Sequence, residues 1–343
     1  MNYKMKTIAV AAMSLAFAGT ALAQADVSFY GRANVSVESQ KVGSASETAF
    51  VDNSSRFGIR AKHAIPNGMT VGTTLEAATN LTTGSTNSQL FAREATVYLD
   101  GAFGQVKLGK MPGSAAYFAT VDYVSNHNHD TGTSTDGLSD YPAAFTLERA
   151  ISYKSPKISG LTLEAQYGLK TGAASGAGNT TTSTKPSPVS LAATYELGAL
   201  NLGLGHERGD NPFSAATNDT MNATTLRAYY VMGPLGFGGY VQKTSGTSAD
   251  RTAIRLSAMY TVRQNEFHVN YGSAGNRAGL ANSGADQFTL GYNYNLDKQT
   301  KLYALYTQVH NKSSVHYSSD RFFATPTDGQ NVSSYGAGIR YNF

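Results

Sequence analysis

Hydrophobic and polar residues alternate one by one along much of the chain, most clearly from position 334 to position 343. Tyr335, Ala337, Ile339, Tyr341 and Phe343 occupy one set of alternate positions there, and small, polar or charged residues occupy the other. Side chains of a strand point to opposite faces with a period of two, so this segment has one apolar and one polar face. Such a strand suits a wall with lipid on one side and water on the other.

The same alternation recurs in further segments, many of them near the length of about 9 to 11 residues that a strand needs to cross a bilayer. We therefore predict sixteen strands, at 27–38, 55–64, 69–81, 89–100, 104–110, 146–154, 160–169, 188–196, 200–208, 224–232, 235–243, 250–262, 266–273, 285–295, 300–310 and 333–343. No apolar stretch after residue 24 approaches the roughly 20 residues of a spanning helix. The predicted fold is all-β, a 16-stranded antiparallel transmembrane β-barrel.

Short turns alternate with longer links between these segments. Seven connections are short and carry the Gly, Pro, Asn or Asp that tight turns need, whereas eight are longer and mostly rich in Gly, Ser, Thr and Asn. This asymmetry is typical of an up-and-down barrel with tight turns on one rim and large loops on the other. A closed sheet leaves no unpaired edge in lipid, and sixteen strands enclose a water-filled channel.

The longest link, 111–145, differs from the others in sequence. It begins with Met111 and Pro112, and Pro suits the first position of the short helix that the next residues could form. The link also holds Asp122, Asp130, Asp136 and Asp140. A loop this long inside a compact fold is usually functional, so we expect this loop to carry a role in the channel.

The N-terminal segment has the features of an export signal. Lys4 and Lys6 supply a positive start, an apolar run follows from Ile8 to Ala18, and Ala21 to Ala23 offer small residues for cleavage. The apolar run is too short to span a bilayer. We predict a signal peptide over 1–23 and one barrel domain over 24–343, although the sequence also permits cleavage two residues later.

The amino-acid composition excludes several kinds of site and partner. The chain has no Cys, which excludes disulfides and thiolate metal sites. Of its 27 Lys and Arg residues, Lys4 and Lys6 lie in the predicted signal, so 25 remain against 23 Asp and Glu. This near balance argues against a nucleic-acid partner, and we predict none.

No motif indicates catalysis or a cofactor. His127 and His129 lie in an Asn-His-Asn-His-Asp tract, but their spacing is unspecific, and a solvated loop is the favoured interpretation over a metal site. We therefore predict no enzyme activity, no cofactor and no metal. Two alternatives to a passive channel remain open: a barrel that acts as a receptor or adhesin, and a barrel that hydrolyses lipid.

Several segments resemble the trimeric sixteen-stranded general porins of Gram-negative outer membranes, especially their β-proteobacterial branch. They are VSFYGR at 27–32, SRFGIR at 55–60, AREATVYL at 92–99, GAFGQVKLG at 101–109, LTLEAQY at 161–167 and YNF at 341–343. The resemblance implies a bacterial outer-membrane barrel that passes small hydrophilic solutes and is surrounded by lipid and lipopolysaccharide. It also implies a homotrimer latched by the second loop near 81–88, and a last strand, with Tyr341 and Phe343, that the barrel-insertion machinery reads.

In porins of this kind the third loop folds into the barrel and narrows it opposite a cluster of wall arginines. The resemblance assigns the basic wall to Arg32, Arg56, Arg93 and Arg149, and the loop acids to Asp122 and Asp130. By alternation Arg93 and Arg149 share the face of Val97 and Ile151, so an inward direction requires a bulge or a position at a strand end.

Charges on the predicted inner face are mostly positive. The basic set is Arg32, Arg56, Arg60, Lys62, Lys107, Arg227, Arg255 and Arg340, and the acidic set is Glu38, Glu76, Glu164 and Glu196. In a narrow channel with low-dielectric walls, this excess raises the local concentration of anions. The sequence therefore predicts a mild preference for anions.

Overall fold

The computed structural model describes residues 25–124, 132–145, 147–169, 186–216 and 218–343. The predicted signal peptide over 1–23, Asp130, and the tract that contains His127 and His129 lie outside the described residues. The signal peptide and the start of the mature chain therefore stay predictions.

The described chain is dominated by strands. They are β1 (Asp26–Val42), β2 (Ala45–Asp52), β3 (Arg56–Ile65), β4 (Met69–Asn80), β5 (Ser85–Thr86), β6 (Glu94–Gly101), β7 (Gly104–Met111), β8 (Leu147–Lys154), β9 (Leu161–Gly168), β10 (Val189–Leu197), β11 (Leu200–Asp210), β12 (Thr220–Met232), β13 (Leu235–Ser245), β14 (Arg251–Val262), β15 (Asn265–Ala274), β16 (Ala285–Asn295), β17 (Thr300–Asn311) and β18 (Val332–Asn342). β5 is a two-residue piece of a loop, and β2 and β3 form one interrupted wall strand beside β1. The wall therefore has sixteen strands, as predicted.

Each wall strand pairs antiparallel with its neighbours in sequence, and the sheet closes between its two ends. β1 pairs with β18 from Arg32 opposite Asn342 to Val42 opposite Val332. Its other edge pairs with β3 in the first half and with β2 in the second half. The predicted closed 16-stranded antiparallel barrel is confirmed.

The alternation of side chains follows the predicted division between lipid and lumen. The outward Phe29 and Tyr335 are 75% and 62% exposed, whereas the inward Asn34 and Glu38 are fully buried within the barrel. The apolar residues thus form the outer surface, and the polar residues form the inner one, the reverse of a water-soluble fold.

One predicted link, 39–54, is wrong in its extent. β1 continues to Val42 and β2 begins at Ala45, with a tight turn between them where Gly43 has a φ of 58°. Residues 39–49 of this hairpin are mostly small or polar, so the hydropathy alternation fades while backbone pairing continues. The sequence pattern could not reveal this extension because it reports burial in lipid rather than hydrogen bonding.

The loop between β7 and β8 contains two short helices, α1 (Ala115–Ala119) and α2 (Val121–Val124), and a 3-10 helix at Gly132–Ser134. Ser114 caps α1, because its hydroxyl oxygen accepts a hydrogen bond of 3.2 Å from the Tyr117 backbone N–H. Among the described residues, no helix is long and apolar enough to cross a membrane.

Candidate functional site

The described residues of the loop between β7 and β8, 112–124 and 132–145, which we call the constriction loop, lie inside the barrel. α1 contacts β9, β10 and β11, α2 contacts β12 and β13, and the 3-10 helix contacts β1, β17 and β18. The loop therefore passes along a large part of the inner wall and narrows the lumen. This agrees with the inward-folded loop expected from the resemblance.

Two glycines on β11 allow α1 to approach the wall closely. A Cβ on Gly203 would lie 2.4 Å from the Ala119 carbonyl oxygen, and one on Gly205 would lie 2.7 Å from that of Ala116. The backbone N–H of Ala116 donates to the Ser190 hydroxyl at 2.9 Å. Small wall residues thus permit backbone contact between the helix and the barrel.

The returning half of the loop is held by a buried ion pair. The Arg255 guanidinium on β14 donates to both carboxylate oxygens of Asp136, at 2.8 Å and 2.6 Å. Tyr240 donates its hydroxyl to the same carboxylate at 2.6 Å, and Gln287 accepts from Arg255 at 2.9 Å. The side chains of Arg255 and Asp136 are 0% and 3% exposed, so this contact is sealed from water.

A second carboxylate anchors the same half. Asp140 lies 2.6 Å from a nitrogen of Arg251 and 2.8 Å from one of Arg277. Arg251 also donates to the Leu138 carbonyl oxygen. Two aspartates of the loop therefore bind arginines, two of which lie on β14 and one in the link after β15.

Burial and neighbouring groups change the pKa of two loop residues, Asp136 and Tyr141. Burial opposes ionisation of Asp136, but Arg255 and the Tyr240 hydroxyl together hold the pKa of this carboxyl below its ordinary value of 3.8. Burial raises the pKa of Tyr141 to about 12, so this phenol stays protonated and donates to the Thr225 hydroxyl at 2.6 Å. Asp136 is therefore charged, and Tyr141 neutral, at neutral pH.

The two ends of the loop meet beside β11. The Ser114 backbone N–H donates to the Ala144 carbonyl at 3.2 Å, and the fully buried Glu207 of β11 accepts a hydrogen bond from the Ala143 backbone N–H. On the far side of the loop, the Thr133 hydroxyl donates to Glu38 on β1 at 2.8 Å. Contacts at both ends and at the far side thus fix the path of the loop.

Two of the inward cations counted in the sequence do not face the channel. Arg227 is 1% exposed, donates to the Ala119 carbonyl at 2.7 Å, and its guanidinium carbon lies 3.6 Å from the centre of the Tyr123 ring. Arg255 is 0% exposed under Asp136. The sequence count overstates the basic charge of the lumen, because alternation cannot tell an inward residue from one that a loop covers.

Three residues of the predicted basic wall, Arg32 on β1, Arg56 on β3 and Arg93 just before β6, lie across the strand order from β12 and β13, which α2 contacts, whereas Arg149 lies on β8. Arg56 and Arg93 both approach the Glu76 carboxylate, at 3.8 Å and 2.6 Å. Tyr30 donates its hydroxyl to the other oxygen of Glu76 at 2.9 Å. Arg32 is directly opposite Arg56 in the register of β1 with β3. The structure therefore brings Arg32, Arg56 and Arg93 together.

Arg93 points into the barrel because of a bulge, although alternation alone would place it on the outer face with Val97. Arg93 precedes β6, and its N–H donates to the Glu76 carbonyl at 3.2 Å, while the next residue, Glu94, is paired with Glu76. Two residues of this strand thus oppose one of β4. The bulge that an inward Arg93 requires is therefore present.

Arg149 also lies in a bulge, with a left-handed φ of 50°. Gly109 pairs with Ala150 and Met111 pairs with Leu147, so Glu148 and Arg149 together oppose one residue. The ion pair described for Arg149 is with Glu148 at 3.6 Å, and Lys110 binds the other oxygen of Glu148 at 2.9 Å. Arg149 thus has an acidic partner different from the Glu76 that Arg56 and Arg93 share.

The predicted loop acids have different positions. Asp122 lies in the first turn of α2 and is partly buried. Sequence reasoning identified Asp136 and Asp140 as loop residues but did not identify their partners, Arg251, Arg255 and Arg277. The sequence shows that the loop holds Asp136 and Asp140 and that the inner face holds arginines. Which aspartate binds which arginine depends on the path of the loop, and no local sequence pattern encodes that path.

A cavity of about 690 Å³ lies beside the basic wall, near the long-loop rim. Its lining includes Arg93 and Arg321 together with Glu47, Asp52 and Asp320. Charges of both signs therefore line the approach to the constriction.

The chain is similar to known channel proteins over nearly its whole length. The family described as Gram-negative porin matches residues 9–314. Outer membrane porin protein 32 of Delftia acidovorans is 25% identical over 99% of this chain and 100% of its own length. An outer membrane porin protein of Bordetella pertussis is 23% identical over 98% and 100%.

Solved structures share the fold. An anion-selective porin from Comamonas acidovorans superposes with a TM-score of 0.75 at 22% identity, over 93% of this chain and 100% of that one. The trimer form of OmpT, an outer membrane protein of Vibrio cholerae, gives a TM-score of 0.68 at 18% identity, over 93% and 99%.

Proposed function

The chain belongs to the Gram-negative porin family and forms a channel through the bacterial outer membrane, and we propose that this channel favours anions. The main support is the position of Arg56 and Arg93, which both approach Glu76 on a part of the wall that lies across the strand order from the β12 and β13 that α2 contacts. Arg56 and Arg93 bring two positive charges to this part of the wall, and Glu76 brings one negative charge. Fixed charge in a confined, low-dielectric passage lowers the energy of a passing ion of opposite sign.

Other charges on this wall support the same preference. Lys107 lies 3.2 Å from Glu94, so these two charges offset each other. Arg60 is exposed to the lumen and stacks on the Tyr30 ring, with 3.7 Å between the guanidinium carbon and the ring centre. Its charge is retained in this contact because an aromatic ring has no negative charge to neutralise it. The basic excess therefore extends beyond the constriction.

The proposed constriction consists of Arg32, Arg56, Arg93 and Arg149 on the wall and Asp122 and Asp130 on the loop. Opposed charges on the two sides would set a transverse field across the passage. Arg32 and Arg56 are direct neighbours in the sheet, which supports their inclusion. Arg149 contributes if its pair with Glu148 breaks as an anion approaches.

We propose a homotrimer, as in the Vibrio cholerae protein. The outer wall is apolar, and residues of β1 and β3 such as Val27, Phe29 and Phe57 are exposed in the single chain. The second loop near 81–88 would latch a neighbouring subunit. Size analysis in mild detergent tests this, and a strictly monomeric species would contradict it.

The channel is passive in this proposal, and neither lipid hydrolysis nor receptor binding contributes. Its solutes are ions and small hydrophilic molecules. Incubating the purified protein with phospholipid and measuring released fatty acid tests the enzymatic alternative, since a channel releases none. Cell binding without ion conductance would support a receptor or adhesin.

Single-channel conductance with salts of different ion mobility tests the proposed preference. Replacing chloride with a slower anion should lower the conductance more than replacing potassium with an equally slower cation. A channel that responds mainly to the cation would refute anion preference.

A further inference from the structure

The outer wall carries a groove of about 560 Å³ that crosses β13 to β17. One row of its lining passes from strand to strand, through Leu235, Tyr260, Phe267, Tyr292 and Ala304. The next row of the lining includes Ala258 on β14. Ala258 and Ala304 are small where their neighbours are large, so these two alanines form the bottom of the groove.

The groove lies close to the rim of short turns, which faces the periplasm in such barrels. Leu235 is the first residue of β13, and Tyr260 and Phe267 lie two residues from the ends of β14 and β15 that meet at one of these turns. The Tyr292 hydroxyl donates to the Asn265 side chain at 2.7 Å. Aromatic side chains of this kind are typical of the membrane–water interface. The groove therefore opens to the periplasmic leaflet, at the depth where acyl chains meet headgroups.

Two cations lie beside the groove at this rim. Arg263 is in the turn between β14 and β15, Lys298 is in the turn between β16 and β17, and both are exposed. Within the described ranges, no carboxylate forms an ion pair with either side chain. The neighbouring Asp297 accepts the backbone N–H groups of Gln299 and Thr300 at 2.7 Å each, so its carboxylate is held within its own turn. The periplasmic edge of the groove thus carries more positive than negative charge.

We propose that this groove binds an anionic phospholipid of the periplasmic leaflet, with an acyl chain over Ala258 and Ala304 and the headgroup phosphate at Arg263 and Lys298. Burial of the acyl chain against apolar side chains holds the lipid, and basic residues at a membrane surface attract anionic headgroups. Long Arg and Lys side chains reach the headgroup while their stems lie along apolar surface. The inference requires only the barrel in its membrane and does not depend on the proposed anion preference.

A second copy of the chain is the alternative occupant of this apolar face. Such a copy would have to bring a carboxylate to Arg263 and Lys298, whereas every phospholipid carries a phosphate at this depth. Val27 and Phe29 of β1, which the proposed trimer would bury, are also more exposed than the large side chains of the groove. Charge and exposure therefore favour a lipid here and a subunit contact at β1.

The test is native mass spectrometry of the full-length protein, purified in mild detergent in its natural oligomeric state. The protein is titrated with phosphatidylglycerol, which is anionic, or with phosphatidylcholine of the same acyl chains, which is zwitterionic. The spectra count the bound lipids and give the half-saturating concentration of each. The wild type should retain phosphatidylglycerol at a lower concentration than phosphatidylcholine.

Removal of the cations should weaken the anionic lipid alone. Arg263→Gln and Lys298→Gln should each raise the half-saturating phosphatidylglycerol concentration about fivefold, and the double variant about thirtyfold. Lys157→Gln is the matched control, because Lys157 lies in another short turn and is paired with Glu196 at 2.6 Å. It should leave the retention of both lipids unchanged.

Filling the groove should weaken both lipids. Ala258→Leu and Ala304→Leu place larger side chains at the bottom of the groove, so phosphatidylglycerol and phosphatidylcholine should each need a higher concentration. Ala193→Leu is the control, since Ala193 lies on the outer face of β10, between Leu163 and Leu204. Ala258→Leu should also keep the wild-type reversal potential in a potassium chloride gradient, because Ala258 faces lipid.

Equal retention of the two lipids by the wild type would overturn the proposal, as would unchanged phosphatidylglycerol retention in the double variant. If the double variant does not fold, the two single variants decide by the same criterion. A change of oligomeric state in Ala258→Leu with unaltered lipid retention would identify the groove as an interface between copies of the chain, which also overturns the lipid site. None of these results bears on the anion preference, which the reversal potential of the wild type tests separately.

Discussion

Arg255 and Asp136 form a buried ion pair with two hydrogen bonds, which joins β14 of the wall to the constriction loop. Neither side chain is in contact with bulk water. A buried pair adds little net stability over apolar packing, but breaking it is costly because one charge is left uncompensated. The pair therefore acts as a positional constraint, which keeps the loop against the wall.

The first prediction concerns this constraint. Asp136→Asn leaves Arg255 buried without a counter-charge, at a cost of about 3 to 5 kcal/mol. We expect the loop to leave the wall, with a higher or noisier single-channel conductance in potassium chloride. Asp136→Leu combined with Arg255→Met removes both charges and should restore much of the steady wild-type behaviour.

Glu164→Gln is the control for this series. Its pair with Lys154 is 3.6 Å long, and Lys154 is 55% exposed. An exposed pair contributes about 0 to 1 kcal/mol, so the control should conduct like the wild type. If Asp136→Asn also has wild-type conductance and noise, the ion pair does not hold the loop.

The second prediction is a response to acid. The pKa of Asp136 is lower in the docked loop than its ordinary value of 3.8, so ionised Asp136 stabilises docking above that value. This stabilisation is lost as the pH falls through the docked pKa. The contribution of Asp136 to docking should therefore stay constant from pH 7 to about 5, and its loss should make the conductance noisy only in stronger acid. A transition centred above pH 5 that persists in Asp136→Asn would identify another group as its cause.

The third prediction concerns Phe343. Its backbone pairs with Gly31, through bonds of 2.8 Å and 3.1 Å, and a Cβ on Gly31 would lie 2.3 Å from the Phe343 ring. Phe343 therefore extends the pairing of β1 with β18 and packs over the glycine. We propose that Tyr341 and Phe343 form the assembly signal of the last strand.

Deleting Phe343, or changing Gly31→Val, should lower the amount of folded protein in the outer membrane without changing the conductance of the channels that form. Phe343→Tyr keeps an aromatic ring and should assemble normally. Membrane fractionation followed by single-channel recording separates the two effects. Normal assembly without Phe343 would contradict its role.

The alternation of side chains predicts the barrel because successive residues of each wall strand face lipid and water in turn, so apolar and polar residues must alternate. β18 is a clear case, since its apolar positions from Tyr335 to Tyr341 all point outward. The hairpin of β1 and β2 was missed where it leaves the apolar belt, because pairing there needs no alternation. The hydropathy pattern therefore locates a strand only where that strand has lipid on one side.

The site is less predictable from sequence for a related reason. Arg93 faces Glu76 because of a bulge, and alternation alone assigns it to the outer face. Asp136 reaches Arg255 from 119 positions away, through a loop whose path depends on many contacts at once. Residue types indicated an acidic loop and a basic wall, but the partners follow from three-dimensional packing.

The decisive measurement for the basic wall is the reversal potential across a potassium chloride gradient, compared between the wild type and Arg56→Gln/Arg93→Gln/Arg149→Gln. The wild type should prefer chloride, and the triple variant should shift toward potassium while it still conducts. The shift should shrink as salt rises, because screening acts over about 10 Å at 0.1 M. Lys154→Gln should keep the wild-type value. A triple variant with the wild-type reversal potential at low salt would contradict the assignment of anion preference to this basic wall.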